Sequence, residues 1–100
     1  MINGISENSI IVVSSQQISG DLLDGDVAIL NLSDGVYYGL TDIGGRIWSL
    51  IQQPKTVSDL KATLLQEYDV DPELCYRELL DLLQDLANRG LVVVNNDPVT

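Results

Sequence analysis

The pattern of apolar and polar residues divides this 100-residue chain into a β-like part before residue 40 and a helical part after it. The β-like part contains three candidate segments, at residues 9–13, 16–19 and 26–40. Asp34-Gly35 interrupts the last of these, and this dipeptide between β-rich runs is typical of a two-residue type I′ hairpin. The pattern predicts strands over residues 26–33 and 36–40.

Pairing through this turn places Leu32 opposite Tyr37 and Asn31 opposite Tyr38, so the two tyrosines lie on opposite faces of the hairpin. Both faces then carry apolar side chains. Either the protein's own helices cover both faces, or the open edge of the last strand accepts an extended peptide as an added strand. The pattern alone leaves both interpretations open.

The helical part has the apolar spacing of three helices, between residues 42 and 89. Thr41 can cap the first helix, in which Gly44 and Gly45 indicate that another backbone packs closely against the first turn. Thr56 begins a capping-box pattern that opens the second helix.

The third helix begins with Asp71 as its N-cap and Pro72 at the first helical position, and it ends at Arg89, before Gly90. It carries more apolar residues than one core-facing stripe requires, so part of it is expected to cover something besides the other helices. The run LVVV at 91–94 predicts a final strand. Three helices and a strand after β structure predict an α+β fold, a winged helix-turn-helix preceded by a small antiparallel sheet.

The chain is strongly acidic, with 15 acidic and 5 basic residues and a formal net charge of −10. Because phosphate binding depends on clustered Lys and Arg, we expect neither nucleic acid nor an anionic membrane as a partner. The third helix has Arg77 and Arg89 against four acidic residues, Glu73, Glu78, Asp81 and Asp85. A winged-helix DNA-binding regulator nevertheless stays as an alternative interpretation.

The sequence contains no residue pattern typical of catalysis or metal binding, although carboxylates are plentiful. The chain has no histidine, and its single cysteine, Cys75, lies in an apolar helical pattern that is typical of a core residue. The carboxylates have no spacing typical of a calcium loop or a glycosidase. We therefore expect a protein that is not an enzyme and has no metal or other cofactor.

The N-terminal residues have no basic region and an apolar run of only four residues, so neither a signal peptide nor a membrane span is predicted and the cytoplasm is the expected location. One domain is expected over residues 1–94. Its predicted parts are a sheet over 9–40, helices over 42–89 and a wing strand over 91–94, with a flexible tail over 95–100.

Several motifs in this sequence resemble the PqqD family of small peptide-binding domains. They are the hairpin N-x-S-D-G-x-Y-Y-x-L at 31–40, Ile47-Trp48 after Thr41 and Gly44, Y-D-V-D-P at 68–72, and L-A-N-R-G-L at 86–91. Their order and spacing cover residues 26–94 and together are fairly specific.

The resemblance implies a three-stranded N-terminal sheet beside a three-helix winged-helix bundle. It also implies that the leader segment of a ribosomally synthesised precursor peptide adds to the third strand and packs against the third helix. Carried over to this sequence, the strand residues are Val36, Tyr37, Tyr38, Gly39 and Leu40, and the helix residues are Tyr76, Arg77, Leu80, Leu83 and Gln84.

The partners that the resemblance implies are a precursor leader and a separate maturation enzyme. That enzyme is a leader peptidase followed by a cyclase in lasso-peptide pathways, or a radical enzyme in cofactor pathways. The leading hypothesis is a protein that binds the leader and tethers it at this enzyme. A docking subunit that binds only the enzyme, and no peptide, is the further alternative.

Overall fold

A computed structural model describes residues 4–96 of the chain. It contains six strands and three helices within that range: β1 Ile10–Val13, β2 Gln17–Asp21, β3 Val27–Asn31, β4 Tyr37–Leu40, α1 Asp42–Leu50, β5 Lys55–Thr56, α2 Val57–Glu67, α3 Pro72–Asn88 and β6 Val92–Asn95. The three helices and a small sheet form the winged helix-turn-helix, and a second sheet lies N-terminal to α1. The predicted α+β architecture is therefore confirmed.

The strands form two separate three-stranded antiparallel sheets, in the order β2-β3-β4 and β5-β1-β6. The first is the expected N-terminal sheet, but it begins at Gln17 rather than at residue 9. Strand β1 instead pairs with β6, with Ile11 opposite Val94. Ile11 is fully buried there, and this burial explains why β1 belongs to the wing.

The C-terminal boundary also differs from the sequence prediction. Strand β6 ends at Asn95, so the expected tail cannot begin at that residue. Asn96 accepts a hydrogen bond from the Ser9 hydroxyl through its side-chain oxygen. The rest of the predicted tail, residues 97–100, lies outside the described residues.

The β3–β4 hairpin has a wider loop than a two-residue turn. Ile29 lies opposite Tyr38 and Leu30 opposite Tyr37, a shift of two positions from the predicted pairing. Gly35 has a positive φ of 72°, but Asp34 does not, so the loop is not a type I′ turn. A shift of two residues preserves the face of every side chain, and the two tyrosines therefore still lie on opposite faces.

The side chain of Asn31 explains the wider loop. Its Oδ1 accepts hydrogen bonds from the backbone N–H of Ser33 at 2.9 Å and from the Ser33 hydroxyl at 2.8 Å. This arrangement mimics a backbone turn at the start of the loop. The loop closes where the N–H of Asn31 donates to the carbonyl of Val36 at 2.9 Å.

Asn31 also connects the N-terminal sheet to α3. Its Nδ2 donates to the carbonyl oxygen of Arg89, at the C-terminal end of that helix, at 2.9 Å. The residue is only 3% exposed, so both polar ends of its side chain are satisfied within the protein. One carboxamide thus shapes the hairpin loop and holds it against the end of α3.

Helix α1 packs under the inner face of the N-terminal sheet. The indole N–H of Trp48 donates to the Ser19 hydroxyl of β2 at 3.0 Å. A Cβ atom at Gly45 would overlap the carbonyl oxygen of Gly25, which confirms the predicted close approach of another backbone. One apolar cluster joins both sheets to the three helices: Ile11, Val27, Ile29, Ile47, Trp48, Ile51, Val57, Leu60, Leu64, Leu79, Leu83, Leu86, Leu91 and Val92.

Two of the three predicted helix caps are present. Thr56 accepts a hydrogen bond from the N–H of Asp59 at 3.0 Å, and Asp71 accepts one from the N–H of Leu74 at 3.0 Å. Thr41 occupies the N-cap position of α1, but its side chain makes no capping bond. There the backbone carbonyl of Thr41 accepts from the N–H of Gly44 instead.

Replacing Asn31 tests the joint between the sheet and α3. We expect Asn31→Asp to lower the free energy of unfolding by roughly 2–3 kcal/mol at pH 7, because a buried carboxylate would face the Arg89 carbonyl with no hydrogen to donate. Burial raises the folded-state pKa of such a carboxyl, so the loss relative to the wild type should shrink at pH 4, where the protonated group can donate.

Urea unfolding at both pH values measures this effect. Ser33→Ala is the matched control, since it removes only the exposed hydroxyl bonded to Asn31, and we expect it to cost less than about 1 kcal/mol. Equal losses for the two variants would contradict the assigned role of Asn31.

Candidate peptide-binding site

Strand β4 forms an open edge of the N-terminal sheet, because it pairs only with β3. The Asn31–Val36 hydrogen bond fixes which β4 groups face β3. In an antiparallel ladder, hydrogen-bonded pairs alternate, so Tyr38 and Leu40 bond to β3. The backbone N–H and C=O groups of Tyr37 and Gly39 therefore point away from the sheet, where an added strand could pair with them.

Helix α3 lies beside this open edge, and its contacts there define a groove. The Arg89 guanidinium stacks on the ring of Tyr38, 4.6 Å from the ring centroid. Further along, Gly44 of α1 lies between Leu40 of β4 and Leu82 of α3: a Cβ atom placed on it would be 3.6 Å from the Leu40 Cβ and 3.9 Å from a Leu82 methyl carbon. The floor of the groove is thus apolar and is formed by Tyr38, Leu40, Gly44 and Leu82. Arg89 lies at one end of it.

A cavity of about 210 Å³ continues from the groove between α1 and α3. It shares Gly44 and Leu82 with the groove floor. Its lining is mainly apolar: Ile43, Gly44, Ile47, Leu64, Val70, Leu74, Cys75, Glu78, Leu79 and Leu82. Glu78 is the one charged residue in this lining, and it is exposed.

The predicted strand residues all lie on β4 or directly before it, but on different sides. Tyr38 and Leu40 are half-buried and face the groove, together with the core residues of β3. Tyr37 is 70% exposed and faces the opposite side of the sheet. Gly39 and Val36 are exposed as well, and a Cβ added to Gly39 would meet no atom within 4 Å.

The predicted helix residues lie mostly away from the groove. Leu83 is fully buried in the core and has no surface to offer a peptide. Around the axis of α3, Tyr76 is rotated by about 120° and Leu80 by about 160° from Leu82, which lines the groove. Tyr76 instead lies under Lys61 of α2, whose Nζ is 4.8 Å from the ring centroid. The remaining two, Arg77 and Gln84, are rotated by about 140° and 160° from Leu82. Arg77 is exposed, and half-buried Gln84 donates to Asn88 at 3.1 Å.

The helix face toward β4 is defined by residues that sequence reasoning did not select. Leu82 and Arg89 are seven residues apart, which is close to two helical turns, and Glu78 and Asp85 lie on the same side. The Arg89 Nε donates to both carboxylate oxygens of Asp85 at 3.1 Å. This spacing is visible in the sequence, but α3 is apolar on two sides and the sequence does not show which one faces the sheet.

Two features of the described residues concern metal binding and nucleophilic chemistry. Within residues 4–96, no group of three or more His, Cys, Asp or Glu side chains could hold a metal ion. Burial raises the pKa of the Cys75 thiol, which makes it a poor nucleophile at neutral pH. No helix in this range is long and apolar enough to cross a membrane.

Comparisons with known proteins identify two solved structures that this chain resembles. A solved structure described as TbiB1 in complex with the TbiA(beta) leader peptide is 36% identical, with a TM-score of 0.76 over 81% of this chain and 93% of that one. Another, described as lasso peptide synthetase B1 complexed with the leader peptide, is 19% identical, with a TM-score of 0.73 over 83% of this chain and 96% of that one. This second likeness concerns the fold alone.

Curated protein sequences gave no match. The family model for coenzyme PQQ synthesis protein D, PqqD, matches residues 26–92, which is well over half of the chain. The matched region begins just before β3 and ends at the start of β6, so it contains the open edge, the groove and all three helices. The chain therefore belongs to the PqqD family.

Proposed function

We propose that this protein binds the leader segment of a ribosomally synthesised precursor peptide and presents it to a separate maturation enzyme of a lasso-peptide or related pathway. The observation that carries the proposal is the open edge of β4 beside an apolar groove on α3. The 36% identical TbiB1 was solved with a leader peptide, which supports the same function here.

The backbone of β4 supplies the first part of the recognition. An extended leader that pairs with Tyr37 and Gly39 gains main-chain hydrogen bonds without breaking any bond of the β3–β4 ladder. These bonds hold any sequence that can become extended. They give affinity and direction, and the discrimination between peptides must come from side chains.

The groove supplies that discrimination. Side chains alternate along a strand, so every second leader residue would point toward Tyr38, Leu40 and Leu82. The adjoining cavity of about 210 Å³ is large enough for one apolar side chain, and its lining would exclude water around it. Exposed Glu78 at its border favours a leader with a Lys, an Arg or another hydrogen-bond donor nearby.

The proposed role requires no chemistry from this protein. Holding the leader at the enzyme raises the effective concentration of the precursor there, which increases the rate of modification without a new catalytic group. A DNA-binding role is less well supported, because the exposed side chains of α3 include Glu73, Glu78, Asp81 and Asp85. A docking subunit without peptide binding would leave the groove without a function.

Gly39→Pro tests the strand addition directly. Proline removes the N–H that points away from β3, and an edge strand tolerates this change because no ladder bond is lost. We expect the affinity for a fluorescently labelled leader peptide to fall by roughly tenfold or more, since one hydrogen bond is lost and the ring obstructs the added strand.

Gly39→Ala is the matched control for this variant. Its added methyl group meets open space and the N–H remains, so binding should stay within about threefold of the wild type. Circular dichroism would verify that both variants fold. Wild-type affinity in a folded Gly39→Pro protein would rule out pairing at this edge.

A pair of leucine truncations on α3 tests the groove. Leu82→Ala should weaken leader binding by about tenfold or more, because it removes apolar surface from the groove floor. Leu80→Ala truncates another half-buried leucine on the other side of the same helix. We expect it to lower stability by a similar amount and to leave the affinity nearly unchanged. Fluorescence titration with urea unfolding measures both quantities, and the opposite order of affinities would refute the assigned face.

A further inference from the structure

The outer face of the N-terminal sheet carries an apolar row that neither the core nor the groove uses. Ile18, Leu30 and Tyr37 are direct neighbours across the three strands. Ile18 is 61% exposed and Tyr37 is 70% exposed, although each lies in a regular strand. Scattered apolar residues are common on protein surfaces, but a contiguous row on one sheet face is typical of an interaction site.

The neighbouring row makes this face flat. It consists of Gly20, Ala28 and Gly39, and a Cβ atom on either glycine would point into open space. A flat face with one exposed tyrosine and two aliphatic side chains suits a protein surface better than a small molecule, which requires a concave site. We call these two rows the outer sheet face.

The outer sheet face is continuous with the proposed peptide site. A leader strand added to β4 would extend the same sheet, and every second leader residue would point to the outer side. The bound leader would therefore widen this face without covering it. A protein that docks here would contact the sheet and the presented leader together.

Charge distinguishes between two possible occupants, a second copy of the chain and a different protein. Residues 1–40 contain no Lys or Arg, and acidic residues lie at both ends of the sheet, with Asp34 in the β3–β4 loop and Asp21, Asp24 and Asp26 around the β2–β3 connection. A second copy would bring the same acidic groups against them, which is unfavourable. A partner with an apolar patch edged by Lys or Arg would be complementary.

We propose that the outer sheet face is the docking surface for the maturation enzyme, which meets it with an apolar patch rimmed by basic side chains. The proposal rests on the proposed function and adds to it a second surface, on the side of the sheet away from the groove. Ile18 of β2 is the residue of choice for a test, because it lies on the strand farthest from the open edge of β4.

The experiment measures binding of the purified leader peptidase encoded with the precursor, by biolayer interferometry, to the wild type and to Ile18→Lys, Ile18→Ser and Val93→Lys. Val93 is a matched control, since it is 57% exposed on β6 of the other sheet. We expect Ile18→Lys to weaken enzyme binding by about tenfold or more and Ile18→Ser by less, with Val93→Lys near wild type. The affinity of each of the three variants for the leader peptide should stay within about twofold of the wild-type affinity.

Unchanged enzyme binding in both Ile18 variants, or no enzyme binding by the wild type, would overturn the proposal. So would a wild-type dimer, seen by analytical ultracentrifugation, that Ile18→Lys dissociates, since the occupant would then be a second copy. If Ile18→Lys does not fold, Ile18→Ser decides the result. The leader titration is independent: failure of the wild type to bind leader would refute the proposed function, whereas unchanged enzyme binding by the Ile18 variants would refute only the docking surface.

Discussion

The hydrogen bonds of one buried carboxamide determine how the N-terminal sheet meets α3. Asn31 donates to the Arg89 carbonyl at the end of α3 and accepts from Ser33 at the start of the hairpin loop. The first bond holds β3 against the helix, and the second shapes the start of the hairpin loop. The open edge of β4 therefore has a fixed position relative to α3. A peptide needs this fixed position if its backbone is to pair with β4 while its side chains contact the helix.

The groove has an energetic cost that the rest of the fold offsets. Tyr38, Leu40 and Leu82 keep part of their apolar surface in water, and the backbone groups of Tyr37 and Gly39 have no strand beside them. The shared core of both sheets and three helices stabilises the domain despite this incomplete burial. A leader peptide would bury this exposed apolar surface and pair the open backbone groups. The features that lower the stability of the free protein would therefore provide the affinity for the leader.

Local signals in the sequence predicted much of the fold. Thr56 and Asp71 cap the helices that they were expected to cap, and Gly45 lies against a neighbouring backbone. The hairpin pairing was wrong by two positions, because the side chain of Asn31 organises a wider loop than Asp34-Gly35 alone indicates. The tyrosines kept their predicted faces, since a shift by an even number of residues preserves them.

The limits of prediction lay in long-range contacts. The SIIVV run predicted a strand correctly, but its pairing with β6 depends on residues 79 to 85 positions away, as in Ile11 opposite Val94. On α3 the apolar pattern is broad, so it could not show that Leu83 enters the core while Leu82 faces the groove. Periodicity gives the spacing of a helical face, and the packing of the whole domain decides which face meets which neighbour.

Amide hydrogen exchange measured by NMR tests the central claim most directly. In the free protein, the amides of Tyr38 and Leu40 should already be protected by β3, whereas those of Tyr37 and Gly39 should exchange rapidly. Saturating leader peptide should slow exchange at Tyr37 and Gly39 specifically. Rapid exchange of both amides in a fully saturated complex would show that the leader does not add as a strand to β4, and would contradict the account.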